Sequence, residues 1–313
     1  MSLYLGIDTS NYTTSAALFD SITNEMVNKK RLLEVKEGSV GLRQSEALFA
    51  HVKALPEIME ELFKEQIPGK EICAVGVSAY PRDIMGSYMP CFLAGVSAAA
   101  SVAAALGRPL YKFSHQCGHI AAALFSAQKV ELINQKFIAF HVSGGTTEAV
   151  LVRPDSEKVI GCEIVAKSLD LNAGQAIDRI GRMLGLPFPA GPELDSLARK
   201  GELPMKAKPV IKGYDCCISG LENQCAQLKS QGCEPAAIAR YAIEYIAETL
   251  DQMAERLLSD FGKLPLVFAG GVMSNSIISQ RLKAKYGAFF ATPEYSSDNA
   301  TGIALLAHLK RSK

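Results

Sequence analysis

His115 and His119 stand four residues apart in His115-Gln116-Cys117-Gly118-His119. On a helix that spacing puts both imidazoles on one face, at a separation suited to a shared divalent metal. Gly118 lowers the local helix propensity, and surface histidines also meet this spacing without a ligand, so the residues alone leave both readings open. A third ligand has to come from elsewhere. Asp298, in Ser296-Ser297-Asp298-Asn299 at the start of the last helical stretch, is a candidate, with helix capping as its competing role. The glutamate of a zinc-protease HExxH is absent, Gln116 standing in its place, which discounts proteolysis.

A second chemistry is anion binding. Thr9 to Thr14 offers hydroxyls and backbone N–H groups, with Ser10, Thr13 and Thr14 as a candidate phosphate turn. Ser143-Gly144-Gly145-Thr146 lets an anion approach the backbone without Cβ interference. Ala269-Gly270-Gly271-Val272-Met273-Ser274-Asn275 follows an apolar run, so its glycines admit an adenine or ribose and Asn275 offers donors and an acceptor. Asp178, in a helical pattern, and Gly191-Pro192-Glu193-Leu194-Asp195 supply acids suited to ribose or threonine hydroxyls, or equally to a solvated helix face and a capped helix start. Between 199 and 212, Arg199, Lys200, Lys206, Lys208 and Lys212 oppose Glu202, a local +4 suited to RNA phosphates or to plain solvation.

The elements that must position these groups show a duplication. Tyr4 to Leu18 aligns without a gap on Phe137 to Leu151, displaced by 133 positions, so that Ser10, Thr13, Thr14, Ala16 and Leu18 fall on Ser143, Thr146, Thr147, Ala149 and Leu151. Both segments read as strand, Ser/Gly/Thr turn, strand. Helical periodicity runs from Leu48 to Phe63, and a strand from Ile72 to Val77. Ile84 to Gly107 carries no charge, but Ala, Gly and Ser dominate it and Pro90 breaks it, so a buried helix is expected rather than a membrane span. The second half predicts a helix from Gly174 to Leu184, a long one opened by Pro235 and closed by Gly262, a strand from Leu264 to Ala269 and a last helix from about Ala300. Alternating strands and helices in both halves predict two α/β domains, 1–134 and 135–313, with ligands in the cleft between them.

At 313 residues, with 48% hydrophobic and 21% charged residues, the composition is globular and too large for one small module. Lys plus Arg (33) against Asp plus Glu (32) excludes a global field that would draw the chain onto nucleic acid or an anionic membrane, so any such binding is local. Eight cysteines without a CxxC pair read as reduced core thiols. Met1 to Ser10 lacks the basic and apolar pattern of a secretory signal, and the expected compartment is the cytoplasm.

One ordered set of motifs spans nearly the whole chain: Leu5-Gly6-Ile7-Asp8-Thr9-Ser10, the histidine pair, Val142-Ser143-Gly144-Gly145, the Ala173-Gly174 helix with Asp178, Ala190 to Asp195, Ser219-Gly220-Leu221, Ala269-Gly270-Gly271-Val272 with Asn275, and Ser296 to Ala300. In that order they resemble the tRNA threonylcarbamoyladenosine synthase family, also called the O-sialoglycoprotein endopeptidase or glycoprotease family. The resemblance implies an actin-like ATPase fold, shared with sugar kinases and Hsp70. It implies transfer of a threonylcarbamoyl group from its mixed anhydride with AMP to the exocyclic amine of the adenosine beside the tRNA anticodon. It further implies one divalent metal (iron, zinc or magnesium) on His115, His119 and Asp298, acting as Lewis acid and template. An adenine nucleotide or threonylcarbamoyl-AMP would lie against Val142, Ser143, Gly144, Gly145, Asp178, Gly191, Asp195 and Asn275. The implied partner is tRNA, with a paralogous subunit, a small ATPase and a second copy of the chain as further candidates, and no membrane.

The chain departs from the family pattern at several charged positions. Asn11-Tyr12 replaces an acidic pair, Thr146 a histidine, Leu171 the second acid of an Asp-Asp pair, Gln175 a glutamate and Glu222 a lysine, and Pro81-Arg82-Asp83 replaces a Pro-Gly loop. Amine attack needs a proton acceptor, and these changes remove the family's candidates. Two expectations follow: an acyltransferase that works without them, or a nucleotide- and metal-binding paralogue that regulates or scaffolds.

Overall fold

Leu3, Leu5 and Ile7 alternate along the first strand and join Val75 and Val77 in one apolar core, the period-2 pattern that sets a strand's register. The computed structural model describes residues 2–10, 12–34, 42–64, 71–295 and 300–312, so Asn11 and Asp298 lie outside the described residues. β1 (Ser2–Ser10), β2 (Thr13–Asp20) and β3 (Glu25–Leu32) form an antiparallel meander. After α1 (Gln44–Lys64), β4 (Glu71–Tyr80) joins β1 in parallel; after α2 (Phe92–Leu106), β5 (Leu110–Ser114) joins β4 in parallel and leads into α3 (His115–Ser126). The strand order is β3-β2-β1-β4-β5.

The second sheet repeats this plan. β6 (Phe137–Val142) pairs antiparallel with β7 (Thr147–Asp155), which is flanked by β8 (Val159–Lys167). Next come α4 (Ala173–Met183), α5 (Gly191–Ala198), a small hairpin of β9 (Val210–Lys212) and β10 (Asp215–Cys217), α6 (Gly220–Ser230) and the long α7 (Pro235–Phe261). β11 (Leu266–Ala269) then lies parallel to β6, and after α8 (Ser276–Tyr286) β12 (Phe289–Phe290) lies parallel to β11. The order β8-β7-β6-β11-β12 matches the first sheet strand for strand. The register matches too: the pairs Asp8↔Ser15 and Thr9↔Thr14, moved by 133 positions, are His141↔Glu148 and Val142↔Thr147.

Contacts divide the chain into two compact units, Met1–Gln135 with Arg153–Glu163 and Glu294–Lys313, and Lys136–Val152 with Ile164–Pro293. The continuous halves expected from the sequence, 1–134 and 135–313, differ from these units in where 153–163 and the last helix belong. α9 (Thr301–Arg311) packs on β1 of the first unit because Gly6 admits it: a Cβ there would come within 2.5 Å of Ala300 O and Ala304 N. In the second unit α7 forms the core, with Tyr241 and Tyr245 fully buried among apolar neighbours.

The Ala-rich helix also differs from expectation. Phe92, Ala94, Gly95, Ala99 and Ala103 are buried, whereas Leu93 and Leu106 on its other side are exposed, so α2 covers the sheet with one face only. Small side chains weaken periodicity and hide that asymmetry in the sequence. Among the described residues no helix is long and apolar enough to cross a membrane. All eight cysteines are free thiols.

Candidate functional site

In the first unit the chemistry gathers around one acid. Asp8, near the end of β1, is wholly buried. Its Oδ2 accepts the Ser10 hydroxyl at 2.8 Å, and its Oδ1 accepts the Ser78 hydroxyl from β4 and lies 3.0 Å from His115 Nδ1. Ser114 Oγ accepts Cys117 N at 3.1 Å and caps α3, which places His115 at its first position and His119 one turn on. Because a carboxylate only accepts, Asp8 directs a proton onto His115 Nδ1, and in the neutral ring this leaves Nε2 with its lone pair. His119 Nε2 lies 2.8 Å from that atom. Two ring nitrogens so placed share one proton or occupy adjacent positions around a cation held at about 2.0–2.1 Å. Among the described residues no group of three or more His, Cys, Asp or Glu side chains is placed to hold a metal ion.

The three members of the expected phosphate turn sit inside this unit. Ser10, Thr13 and Thr14 are all buried. Ser10 is spent on Asp8, and Thr14 Oγ1 lies 2.7 Å from Nδ1 of His51, on α1. Burial pushes the His51 imidazole down to about 4 against the opposing pull of the Asp8 charge, so it is neutral at physiological pH. Among the described residues its buried Nε2 has no hydrogen-bond partner.

The second unit presents a different surface. Ser143 N donates to Thr146 O at 2.7 Å and Thr146 N to Ser143 Oγ at 3.1 Å, closing the β6–β7 turn and leaving Gly144 and Gly145 exposed. The start of α4 holds the turn from behind: Gly174 N donates to Ser143 O at 3.1 Å and Asn172 Nδ2 to Gly145 O at 2.9 Å. A Cβ on Gly174 would lie 2.6 Å from Gly144 N, so only glycine fits. One turn further along α4, Asp178 Oδ1 accepts Ala190 N at 2.9 Å and so sets Gly191 at the head of α5. Asp195 Oδ1 accepts Asn275 Nδ2 at 2.7 Å, its Oδ2 pairs with Arg199, and Asn275 Oδ1 caps α8 through Ile277 N and Ile278 N. Gly270, at φ +102, brings that strand end against the Val142 carbonyl, where any Cβ would clash. The structure thus joins Asp195 to Asn275, Asp178 to Gly191 and Val142 to Gly270 within one unit.

Sequence reasoning missed Asp8, Ser78 and His51 as site residues. The available signal was an acid inside the apolar strand Leu5-Gly6-Ile7-Asp8, since a buried carboxylate persists only with several donors. Asp170, which keeps the first position of the broken acidic pair, is exposed but engaged by the neighbouring turn: although partial burial raises its pKa, hydrogen bonds from Ser219, Ile218 N and Leu171 N hold it below the usual carboxylate value. Glu222 pairs with Arg179 at 3.1 Å.

Residues 22–305 match the family model for tRNA N6-adenosine threonylcarbamoyltransferase. A tRNA N6-adenosine threonylcarbamoyltransferase of Thermus thermophilus is 32% identical over 314 residues, covering 97% of this chain and 91% of that protein. Among solved structures, full-length HypF in its phosphate- and nucleotide-bound form superposes with TM-score 0.63 at 13% identity, over 98% of this chain and 55% of HypF. A ROK family glucokinase from Streptomyces griseus, in complex with glucose and AMPPNP, gives TM-score 0.53 at 13% identity over 99% of this chain and all of the glucokinase. The fold is the actin-like ATPase fold expected from the sequence.

Proposed function

The chain belongs to the tRNA N6-adenosine threonylcarbamoyltransferase family, and from that premise we propose that it moves a threonylcarbamoyl group from threonylcarbamoyl-AMP to the N6 amine of an adenosine in tRNA. The observation that carries this reading is the Asp8–His115–His119 line, in which a buried acid orients one of two facing imidazoles. In the transfer a bond forms between N6 and the carbamoyl carbon, the bond from that carbon to the phosphate oxygen breaks, AMP departs and N6 releases a proton. Gly144 and Gly145, both exposed, present a turn whose backbone an adenylate phosphate can approach. Asp178 keeps Oδ2 for a ribose or threonine hydroxyl, because among the described residues only its Oδ1 is engaged. Asn275 and Asp195 brace each other at the wall behind.

The two imidazoles suit a divalent metal of the iron or zinc kind rather than magnesium, which takes oxygen ligands. His115 and His119 would hold it, with Asp298 as third ligand, and Asp8 behind His115 would keep that imidazole in its ligating tautomer. Bound there, the cation would supply Lewis acidity toward the acyl and phosphate oxygens.

One observation favours a second reading. The 143–146 turn contains no titratable side chain and Asp170 is consumed by the Ser219 turn, so a base for the N6 proton is not evident at the positions where the family carries one. On that reading the chain is a nucleotide- and metal-binding paralogue acting as regulator or scaffold. The test is incubation with threonylcarbamoyl-AMP and unmodified tRNA, with a paralogous subunit and a small ATPase added in parallel, followed by mass spectrometry of the nucleosides. Product above a His115→Ala control establishes the transferase. Its absence in every mixture, while a relative's enzyme works alongside, replaces it with the second reading.

A further inference from the structure

Phe188 is 84% exposed, yet the turn that carries it is firmly built. Gly185 takes φ +79, Leu186 N donates to Gly181 O at 2.8 Å, and Asp178 receives Ala190 N on the far side. Pro187 and Pro189 fix φ on either side of the ring. The turn leads into α5, eight residues and so about 12 Å long. Beyond α5 the chain follows α7. Gly201 fits against the Ala236 carbonyl, β9 packs on the helix, and Arg256 donates to Gly213 O at 2.8 Å. From Ala236 to Arg256 that track covers about 30 Å.

Along it Lys200, Lys206, Lys208 and Lys212 are exposed, and none pairs with a carboxylate of the described residues. Arg199, by contrast, is tied to Asp195. A solvated basic loop needs no exposed phenyl ring on a braced turn, and an apolar protein contact needs no run of lysines unpaired among the described residues. Their combination suits unpaired RNA, whose bases stack on aromatic rings while its phosphates lie along cations.

We propose that the α4–α5 turn and the 199–212 segment form an RNA-binding surface, with Phe188 stacking an unpaired base and the lysines neutralising backbone phosphates. The proposal rests on the tRNA reading above and names where the RNA lies on the second unit.

Binding of unmodified tRNA and of a fully paired RNA duplex is measured between about 50 and 200 mM salt, with transfer followed in parallel. Lys206→Ala/Lys208→Ala/Lys212→Ala is expected to weaken both RNAs on the order of 10- to 100-fold and to lower the salt slope by about 2 to 3. Phe188→Ala is expected to weaken tRNA alone, by about 10-fold, with the slope unchanged. A control triple, Lys112→Ala/Lys136→Ala/Lys283→Ala, should bind as wild type. Wild-type transfer with unaltered binding by the first two variants, or an equal loss in the control, overturns the surface and leaves the function standing. Wild-type binding through these residues without transfer keeps the surface and overturns the transferase; a wild type that neither binds nor modifies tRNA overturns both.

Discussion

In the first unit the β1–β2 hairpin carries Asp8, Ser10 and Thr14 at buried positions whose polar atoms are bonded to Ser78, His115 and His51. The equivalent β6–β7 hairpin, identical in register, places His141 where the first has Asp8 and ends in the exposed Gly144 and Gly145. The backbone was duplicated and the chemistry was not. One copy became an enclosed network that fixes protonation states, and the other an open turn that offers backbone donors. The contrast predicts that polar substitutions are costly in the first hairpin, whereas in the second the cost follows the space around each glycine.

The largest effect is expected at Asp8. Asp8→Ala strands two hydroxyls and the His115 Nδ1 proton inside the protein, which should cost about 3–5 kcal/mol in urea unfolding. His141→Ala, at the matching position, should cost less, about 1 kcal/mol, because that residue is only partly buried. Equal losses would erase the energetic contrast between the hairpins. Asp8→Asn, which preserves shape, should instead lower metal affinity about 10- to 100-fold by titration calorimetry, with much of the stability retained.

His51 extends the contrast to pH. Its folded value of about 4 lies below the ordinary 6.5, so the unfolded chain takes up a proton that the folded chain refuses. The stability it contributes is present above pH 6.5 and is lost as pH falls toward 4, up to about 3 kcal/mol at 1.36 kcal/mol per unit. Unfolding free energies measured from pH 7.5 to 4.5 should decline more steeply in wild type than in His51→Gln. Parallel curves would show that the imidazole is not held neutral by burial.

A smaller loss is expected from Gly174→Ala. The new methyl would gain helix propensity in α4 but meet Gly144 N and the Ser143 carbonyl carbon at 2.6 and 2.7 Å. A net cost of about 2 kcal/mol follows from overpacking against backbone that cannot rotate away, readable as a shift in the urea midpoint. A neutral result would mean that the open turn is not braced by α4.

The duplication made most of the fold legible, because five identities at one offset also specify a shared register and hence a shared strand order. β3 was not assigned from the sequence, because the polar run Asn28, Lys29, Lys30 and Arg31 shows no apolar alternation, yet those residues suit an edge strand, whose charges guard against pairing with another chain. The return of α9 to the first unit was equally hidden, since Gly6 signals a close approach only once its neighbour is known. At the site, local motifs such as the histidine pair could be read directly. The acid that orients His115, 107 positions away, could not, because nothing in the sequence pairs β1 with the start of α3.

The smallest structural effect should come from Gly144→Ala, and it separates stability from binding most cleanly. Apart from its chain neighbours, no atom of the described residues lies within 4 Å of a Cβ built there, and the backbone is not in the left-handed region, so the folded state accepts alanine. Loss of glycine's freedom in the unfolded chain should leave stability unchanged or raise it by about 0.4–1 kcal/mol. The methyl would nevertheless crowd the exposed turn, where an adenylate phosphate must come within hydrogen-bond distance of the backbone. Weaker binding of AMP by calorimetry at an unchanged urea midpoint would assign anion recognition to the open turn. Unchanged binding would move it elsewhere, and the two hairpins would then differ in burial without dividing the chemistry between them.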